Sequence, residues 1–351
     1  MFVYDIVTKC LNKFNPECAH KLAITLLQYL PVIPVISRQE NGLLSQQLMG
    51  ITFPHPLGLA AGFDKHAEAF AKLEKLGFSF VEIGSVTEQP QQGNPKPRLF
   101  RISDQQSIIN RYGFNSKGVN YVKKKLEKNR SDLIIGINIG KNKEEADYIK
   151  NYMASLKQLI PYADYLVINV SSPNTPKLRD LQDPKYLAPL LQEIQTYFIK
   201  QRIECPIYFK LSPDMSATQE INLLEYLIQA NITGLIISNT TIDRDGLNNR
   251  SHEQGGLSGK LLESKSTAML DRVYRITKGK LILISSGGIS SGHDAFKKIC
   301  HGANLIQIYT SFIYQGPNII RRILEELSIF VKKSGVRNIS ELVGSAVNKN
   351  L

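Results

Sequence analysis

The chain has 351 residues, 42% of them hydrophobic, which suffices for one large domain plus an appendage. Four scattered cysteines (Cys10, Cys18, Cys205, Cys300) fit a reducing compartment, and six histidines form no HExxH-like ligand pair, so no metal site is inferred. The net charge of +12 suits an anionic substrate, an anionic lipid surface or nucleic acid, and the lack of a zinc-finger or RNP-type motif makes nucleic acid the weakest of the three.

The first segment, residues 2–14, sets Val3, Ile6, Val7, Cys10, Leu11 and Phe14 on one helical face before Asn15-Pro16 breaks it. Asp5 and Lys9 interrupt its apolar stretch, no cleavage site follows, and the first arginine is Arg38, so neither a secretory signal nor a transit peptide is expected. No apolar run reaches the ~20 residues of a spanning helix. A second helical pattern (Cys18, Leu22, Leu26, Tyr29, with Ala23, Leu27 and Leu30) ends at Pro31 and Pro34, and residues 31–43 read as a linker. The two helices are apolar beyond one stripe, so they either dock on the main domain or touch something greasy.

From Pro56 the chain alternates strand-like and helix-like segments. Strands are predicted at Leu57–Ala60, Phe78–Gly84, Leu133–Ile139, Tyr165–Val170, Ile207–Leu211, Gly234–Ser238, Leu281–Ser285 and Leu305–Tyr309, with helices such as Ala67–Leu76, Asp183–Ile199 and Thr218–Gln229 between them. Eight such units predict an α/β fold, a (β/α)8 TIM barrel with a small N-terminal helical extension. A doubly wound open sheet is disfavoured because no strand–GxGxxG–helix unit occurs. Two connections are long. Residues 86–131 contain Arg98–Ile102 and Ile108–Tyr112, a candidate hairpin over the barrel mouth, and the basic run Lys123–Arg130, a solvated helix face; residues 241–262 form a second excursion.

Barrel active sites lie at the C-terminal strand ends. Here those ends carry Ala60 to Lys65, Gly84-Ser85, Asn138, Asn169, Lys210, Ser238 to Thr240, Gly287-Gly288 and Tyr309-Thr310. Small, amide, hydroxyl and lysine groups suit a large planar polar cofactor and a carboxylate substrate, not hydrolysis by paired acids. The loop Asn169-Val-Ser-Ser-Pro-Asn-Thr-Pro176 is stiffened by two prolines and can present Ser172 as a base among fixed amides. Gly287-Gly288 and Tyr309-Thr310 end strands seven and eight, where barrels often hold a phosphate. Lys210 ends a buried strand, where a cation needs negative charge nearby.

Nine motifs in order, namely AAGFDK at 60–65, EIGSVT at 82–87, GNPKPRLFR at 93–101, NRYGFN at 110–115, NVSSPNTP at 169–176, SNTT at 238–241, GGLSG at 255–259, SGGI at 286–289 and QIYTSF at 307–312, closely resemble the class 2, quinone-dependent dihydroorotate dehydrogenases over essentially the whole length. The resemblance implies an FMN-binding barrel that oxidises (S)-dihydroorotate to orotate, the fourth step of pyrimidine synthesis, and passes electrons to ubiquinone or menaquinone. It implies FMN contacts at Ala61, Gly62, Phe63, Asp64, Lys65, Ser85, Asn138, Asn169, Lys210, Ser238, Gly259, Gly288, Tyr309 and Thr310. Substrate contacts are implied at Lys65, Asn110, Arg111, Tyr112, Gly113, Phe114, Asn169, Asn174, Asn239 and Thr240, with Ser172 as catalytic base and Thr175 and water relaying its proton. Residues 1–36 become a membrane-associated quinone-access segment, with His20 and Arg101 at the inner end of its tunnel, and 37–351 the barrel. A peripheral place on the cytoplasmic side of an inner membrane follows. Ser85 and Ser238 stand where threonine is more usual, and Ser285-Ser286 where Gly-Val is usual. Class 1 relatives use cysteine as base and lack the extension, so Ser172 and residues 1–36 point separately to class 2. The competing readings are another FMN barrel, such as a class 1 enzyme or a dihydropyrimidine or dihydrouridine reductase, and a non-catalytic phosphate-ligand or membrane-surface binding protein.

Overall fold

The computed structural model describes residues 2–36, 42–129, 131–248 and 253–348. Residues 37–41 of the linker, with the domain boundary drawn at 36/37, Arg130 of the basic run and residues 249–252 of the second excursion lie outside the described residues.

The chain opens with α1 (Phe2–Leu11) and α2 (Pro16–Tyr29). Asn15-Pro16 both stops one helix and starts the next: the Asn15 side chain accepts from the amides of Glu17 (3.1 Å) and Cys18 (3.4 Å), and Pro16 occupies the first turn, where no amide is needed. The strands follow as β1 (Gln46–Leu48), β2 (Ile51–Phe53), β3 (Leu57–Leu59), β4 (Phe80–Val86), β5 (Leu99–Ile102), β6 (Ser107–Asn110), β7 (Ile134–Ile139), β8 (Tyr165–Asn169), β9 (Ile207–Leu211), β10 (Gly234–Ile237), β11 (Gly256–Gly259), β12 (Ile282–Ser286) and β13 (Leu305–Ile308). The eight predicted strands are β3, β4, β7, β8, β9, β10, β12 and β13, and they pair in parallel in that order until β13 closes on β3. They read as near-continuous apolar runs because helices cover one face and barrel-filling side chains the other.

Two additions close the barrel's ends. At the N-terminal end the β1–β2 hairpin, absent from the sequence reading, inserts Phe53, whose ring meets Phe80 edge-on at 5.5 Å; Phe80, Tyr165 and Tyr208 continue the aromatic plug. A Cβ on Gly136 would overlap the Tyr165 ring, so only glycine admits it. At the C-terminal end the expected β5–β6 hairpin forms, and β11 from the second excursion pairs antiparallel with β6. The result is a three-stranded sheet rather than a hairpin and a separate loop.

α1 and α2 lie beside this sheet. Arg101 in β5 donates to the carbonyls of Asn12 (3.1 Å) and Phe14 (2.7 Å), satisfying acceptors where α1 ends. The Tyr4 hydroxyl donates to the Ile33 carbonyl at 2.8 Å, which ties α1 to the chain beyond α2.

Candidate active site

A cavity of about 1300 Å³, partly open to solvent, fills the C-terminal mouth under the three-stranded sheet. Strand ends supply Ala61, Gly62 and Lys65 after β3, Ser85 in β4, Asn169 in β8, Lys210 in β9, Ser238, Asn239 and Thr240 after β10, Gly288 after β12, and Tyr309 and Thr310 after β13. The covering sheet and its flanks add Asn110, Tyr112, Gly113, Phe114 and Gly259, and the proline-rich loop adds Ser172 and Asn174. Residues more than 200 positions apart thus face one space.

Four residues predicted for this cavity do not line it. Asp64 turns back into its own loop, where its two oxygens accept from the amides of Glu68 and Ala69, each at 2.7 Å; burial pushes its carboxyl up to about 6 despite those donors. Phe63 points into a second, apolar cavity. Asn138 is fully buried behind Ser85, whose hydroxyl donates to its Oδ1. Arg111 leaves outward, 2.5 Å from Glu253 and with its guanidinium 4.6 Å from the Phe100 ring centroid. Each of the four is turned to a partner outside the cavity, so a place in a motif does not by itself put a side chain in the site.

Hydrogen bonds fix the amides. Asn174 Nδ2 donates to the Asn110 carbonyl at 3.1 Å, and Asn239 Nδ2 to Ser171 Oγ at 2.9 Å. Ser172 Oγ accepts from the Asn174 amide at 3.3 Å. Thr175 Oγ1 is buried with no hydrogen-bond partner among the described residues. The loop is braced from outside by Arg179, which sequence reasoning missed: its guanidinium reaches the carbonyls of Ser171 (3.2 Å) and Thr240 (3.3 Å) and the Asp214 carboxylate (3.0 Å). No spacing rule singles out Arg179. Glu82 was also missed, although a lone acid inside the apolar run Phe80-Val-Glu-Ile was a visible signal; it accepts from Asn138 Nδ2 at 2.6 Å and from Gln307 Nε2 at 2.7 Å and lies 3.6 Å from Lys210 Nζ.

Lys65 bonds Asn115 Oδ1, and its Nζ lies 3.7 Å from the Tyr112 ring centroid. Burial, and then the charge of Arg98, pull its pKa down to about 7, with Glu17 opposing. At the other end of the cavity Gly287 and Gly288 have φ of +114° and +79°, and a Cβ on Gly288 would overlap the Glu263 backbone.

The second cavity, about 1230 Å³, runs between α1, α2 and the barrel and is lined mainly by apolar side chains such as Val7, Ala23, Leu26, Leu27 and Phe312. Leu99, Ile108 and Tyr309 line both cavities and form the wall between them. His20 and Arg101 line the second cavity, and His20 Nδ1 and Arg101 Nε are buried there with no hydrogen-bond partner among the described residues. Burial, then the charge of Lys65, pull the His20 pKa down to about 4, which keeps the ring neutral at pH 7.

A parallel barrel whose mouth offers amides, hydroxyls and lysines, with an apolar chamber one side chain away, defines an α/β-barrel oxidoreductase. The sequence matches the dihydroorotate dehydrogenase family over residues 43–331. It is 42% identical to the dihydroorotate dehydrogenase (quinone) of a Nitratiruptor species, covering 97% of this chain and 98% of that one. It is 41% identical to the mitochondrial dihydroorotate dehydrogenase (quinone) of Mus musculus, covering 94% and 86%. The crystal structure of the Eimeria tenella DHODH in complex with ferulenol superposes with a TM-score of 0.89 at 37% identity, covering 94% and 95%. The chain therefore belongs to the dihydroorotate dehydrogenase family.

Proposed function

We propose that this protein oxidises (S)-dihydroorotate to orotate on FMN, with Ser172 as base, and passes the electrons to a membrane quinone. The observation that carries the reading is the convergence of Ser172, Lys65 and four asparagines (Asn110, Asn169, Asn174, Asn239) on one cavity. A flat ring with amide edges and a carboxylate needs such neutral donors and acceptors plus one cation, and holding it in one orientation lowers the barrier.

The residues fit FMN. Gly287, Gly288 and Ser290 line one end at the turn after β12, where backbone amides would suit a phosphate, and Ser85, Asn169 and Lys210 offer polar groups to a flat ring at the other. Bound there, FMN supplies a two-electron acceptor for hydride. The chain's own tasks are to orient the substrate and to take the C5 proton. A serine hydroxyl does this only if its own proton moves on, and the unpartnered Thr175 hydroxyl supports a short relay through water.

The apolar chamber suits a quinone head, with Arg101 Nε as donor and His20 Nδ1 as a further polar partner at its inner end. Seven of the twelve exposed large hydrophobic side chains among the described residues (Val3, Ile6, Phe14, Leu22, Tyr29, Leu30, Ile33) fall in the first 33 residues. With Lys9, Lys13 and Lys21 nearby, this surface suits peripheral attachment to an anionic membrane, on its cytoplasmic side in this reading. No helix among the described residues is long and apolar enough to cross a membrane.

The test is one visible spectrum of the purified protein before and after dihydroorotate is added under nitrogen, followed by a long-tailed quinone. A flavin band that bleaches and then returns is expected. A protein that stays colourless with added FMN, or a flavin that dihydroorotate does not bleach, overturns the reading.

A further inference from the structure

Glu82 is 2% exposed, in the middle of β4, and does not reach the cavity. Three strands nonetheless aim polar groups at it: Asn138 from β7, Lys210 from β9 and Gln307 from β13. We propose that Glu82 is a positioning residue that sets both the charge and the hydrogen-bond direction of the cavity floor; this rests on the reading that FMN occupies the cavity.

The direction follows from donor–acceptor logic. An ionised carboxylate only accepts hydrogen bonds. Asn138 must therefore turn its NH2 toward Glu82 Oε1, at 2.6 Å, which leaves its Oδ1 as the acceptor for the Ser85 hydroxyl. The single Ser85 proton is then committed downward, and Ser85 Oγ accepts from Asn169 Nδ2 at 2.8 Å. With its NH2 so used, Asn169 presents Oδ1 to Ser171 Oγ at 3.3 Å and to Asn239 Nδ2 at 3.5 Å. The order set by one buried acid thus runs through Asn138 and Ser85 to Asn169, whose Oδ1 the Ser171 backbone amide also holds at 3.3 Å, at the base of the loop that bears Ser172. A glutamine in its place has its own NH2, and one of its neighbours would have to reverse.

The charge follows from proximity. Lys210 lines the cavity, and its ammonium pairs with the Glu82 carboxylate 3.6 Å away. The pair makes the floor close to neutral. Without the carboxylate the ammonium stands alone in a low-dielectric site, where its pull on an anionic reduced ring is stronger.

The test uses the full chain loaded with FMN, and compares wild type with Glu82→Gln, Glu82→Asp, Lys210→Met and the Glu82→Gln/Lys210→Met pair. The readout is the flavin midpoint potential, from a dye-linked redox titration without substrate. Glu82→Gln is expected to favour reduced over oxidised flavin by about tenfold, a rise of about 30 mV for a two-electron couple. Glu82→Asp keeps the charge and should stay within about threefold of wild type. In the Lys210→Met background the Glu82→Gln shift should vanish, because a buried carboxylate that has lost its cation takes up a proton and carries no charge to remove. An unchanged potential in Glu82→Gln, or an equal shift in both backgrounds, overturns the proposal. If Glu82→Gln does not fold, Glu82→Asp and Lys210→Met decide: a shift in the first as large as in the second overturns it. A wild-type chain that takes up no FMN sinks the functional reading instead, so the two failures are distinguishable.

Discussion

Glu17 and Arg98 form a two-point ion pair: Arg98 Nε lies 3.2 Å from Glu17 Oε2, and its terminal nitrogen 2.9 Å from Oε1. Glu17 sits in the first turn of α2 and Arg98 directly before β5; both are buried. Arg98 also donates to the carbonyls of Gln92 (2.6 Å) and Asn94 (2.9 Å), so a single guanidinium joins the apolar helix pair to the cover of the polar cavity. The choice between docking and exposure left by the sequence is therefore not exclusive, since α1 and α2 dock through this pair and Arg101 while still presenting apolar side chains outward.

Glu17→Ala leaves the Arg98 charge buried and unpaired and should lower stability by roughly 3–5 kcal/mol, read from urea unfolding. Burial raises the Glu17 pKa, but hydrogen bonds and charge from Arg98, with Lys96 and Lys21, outweigh it and hold the carboxyl below its ordinary range. The pair's contribution is thus complete above the unfolded value of about 4.3 and is lost as pH falls through the lower folded value. Amide exchange in α2, corrected for intrinsic rate, should stay level from about pH 8 to pH 5 and rise only under more acid conditions. Loosening that begins near neutrality would mean that another group governs docking.

Lys65 carries the second prediction. With its pKa near 7 in the free protein, it is charged below that value and increasingly neutral above it. A bound carboxylate favours the charged form, so binding above pH 7 takes up a proton. Orotate affinity should be flat below pH 7 and weaken by up to about tenfold per pH unit above it, measured by flavin absorbance titration. Lys65→Met should weaken binding and abolish the dependence. A wild-type affinity that is constant from pH 7 to pH 9 would place the carboxylate elsewhere.

Ser172→Ala removes the hydroxyl and leaves the cavity walls intact. FMN should stay bound, while flavin reduction by dihydroorotate falls by about 10²–10⁴-fold in anaerobic stopped flow. In the wild type the reduction rate should rise from mildly acidic to alkaline pH, since deprotonation of the relay favours proton departure. Bleaching at the wild-type rate in the variant would assign the base to another group.

Ala23 faces the apolar chamber and takes no part in the polar cavity. Ala23→Trp should fill the chamber, reduce turnover with a long-tailed quinone at least tenfold, as one blocked access step permits, and leave flavin bleaching by dihydroorotate unchanged. Equal losses with a small soluble acceptor would show that the chamber is not the route.

The eight barrel strands were legible because strands buried on both faces must be apolar along their whole length, and eight such runs alternating with helical periods admit few architectures. The loop around Ser172 was legible because prolines and amides mark rigid, polar chain. Other features have no local signature. β11, written Gly-Leu-Ser-Gly, becomes a strand only because β6 offers it an open edge. Asp64 and Phe63 are neighbours in a motif yet leave it in opposite directions, one to cap backbone amides and one into the chamber. Arg179 and Glu82 matter through partners 8 to 225 positions away. Sequence by itself determined which segments must be buried and which chemical groups stand at the strand ends, because solvent exclusion and chain stiffness act locally. Tertiary structure decided which of those groups share a cavity, since side-chain direction and ion pairing depend on distant segments being brought within a few ångströms.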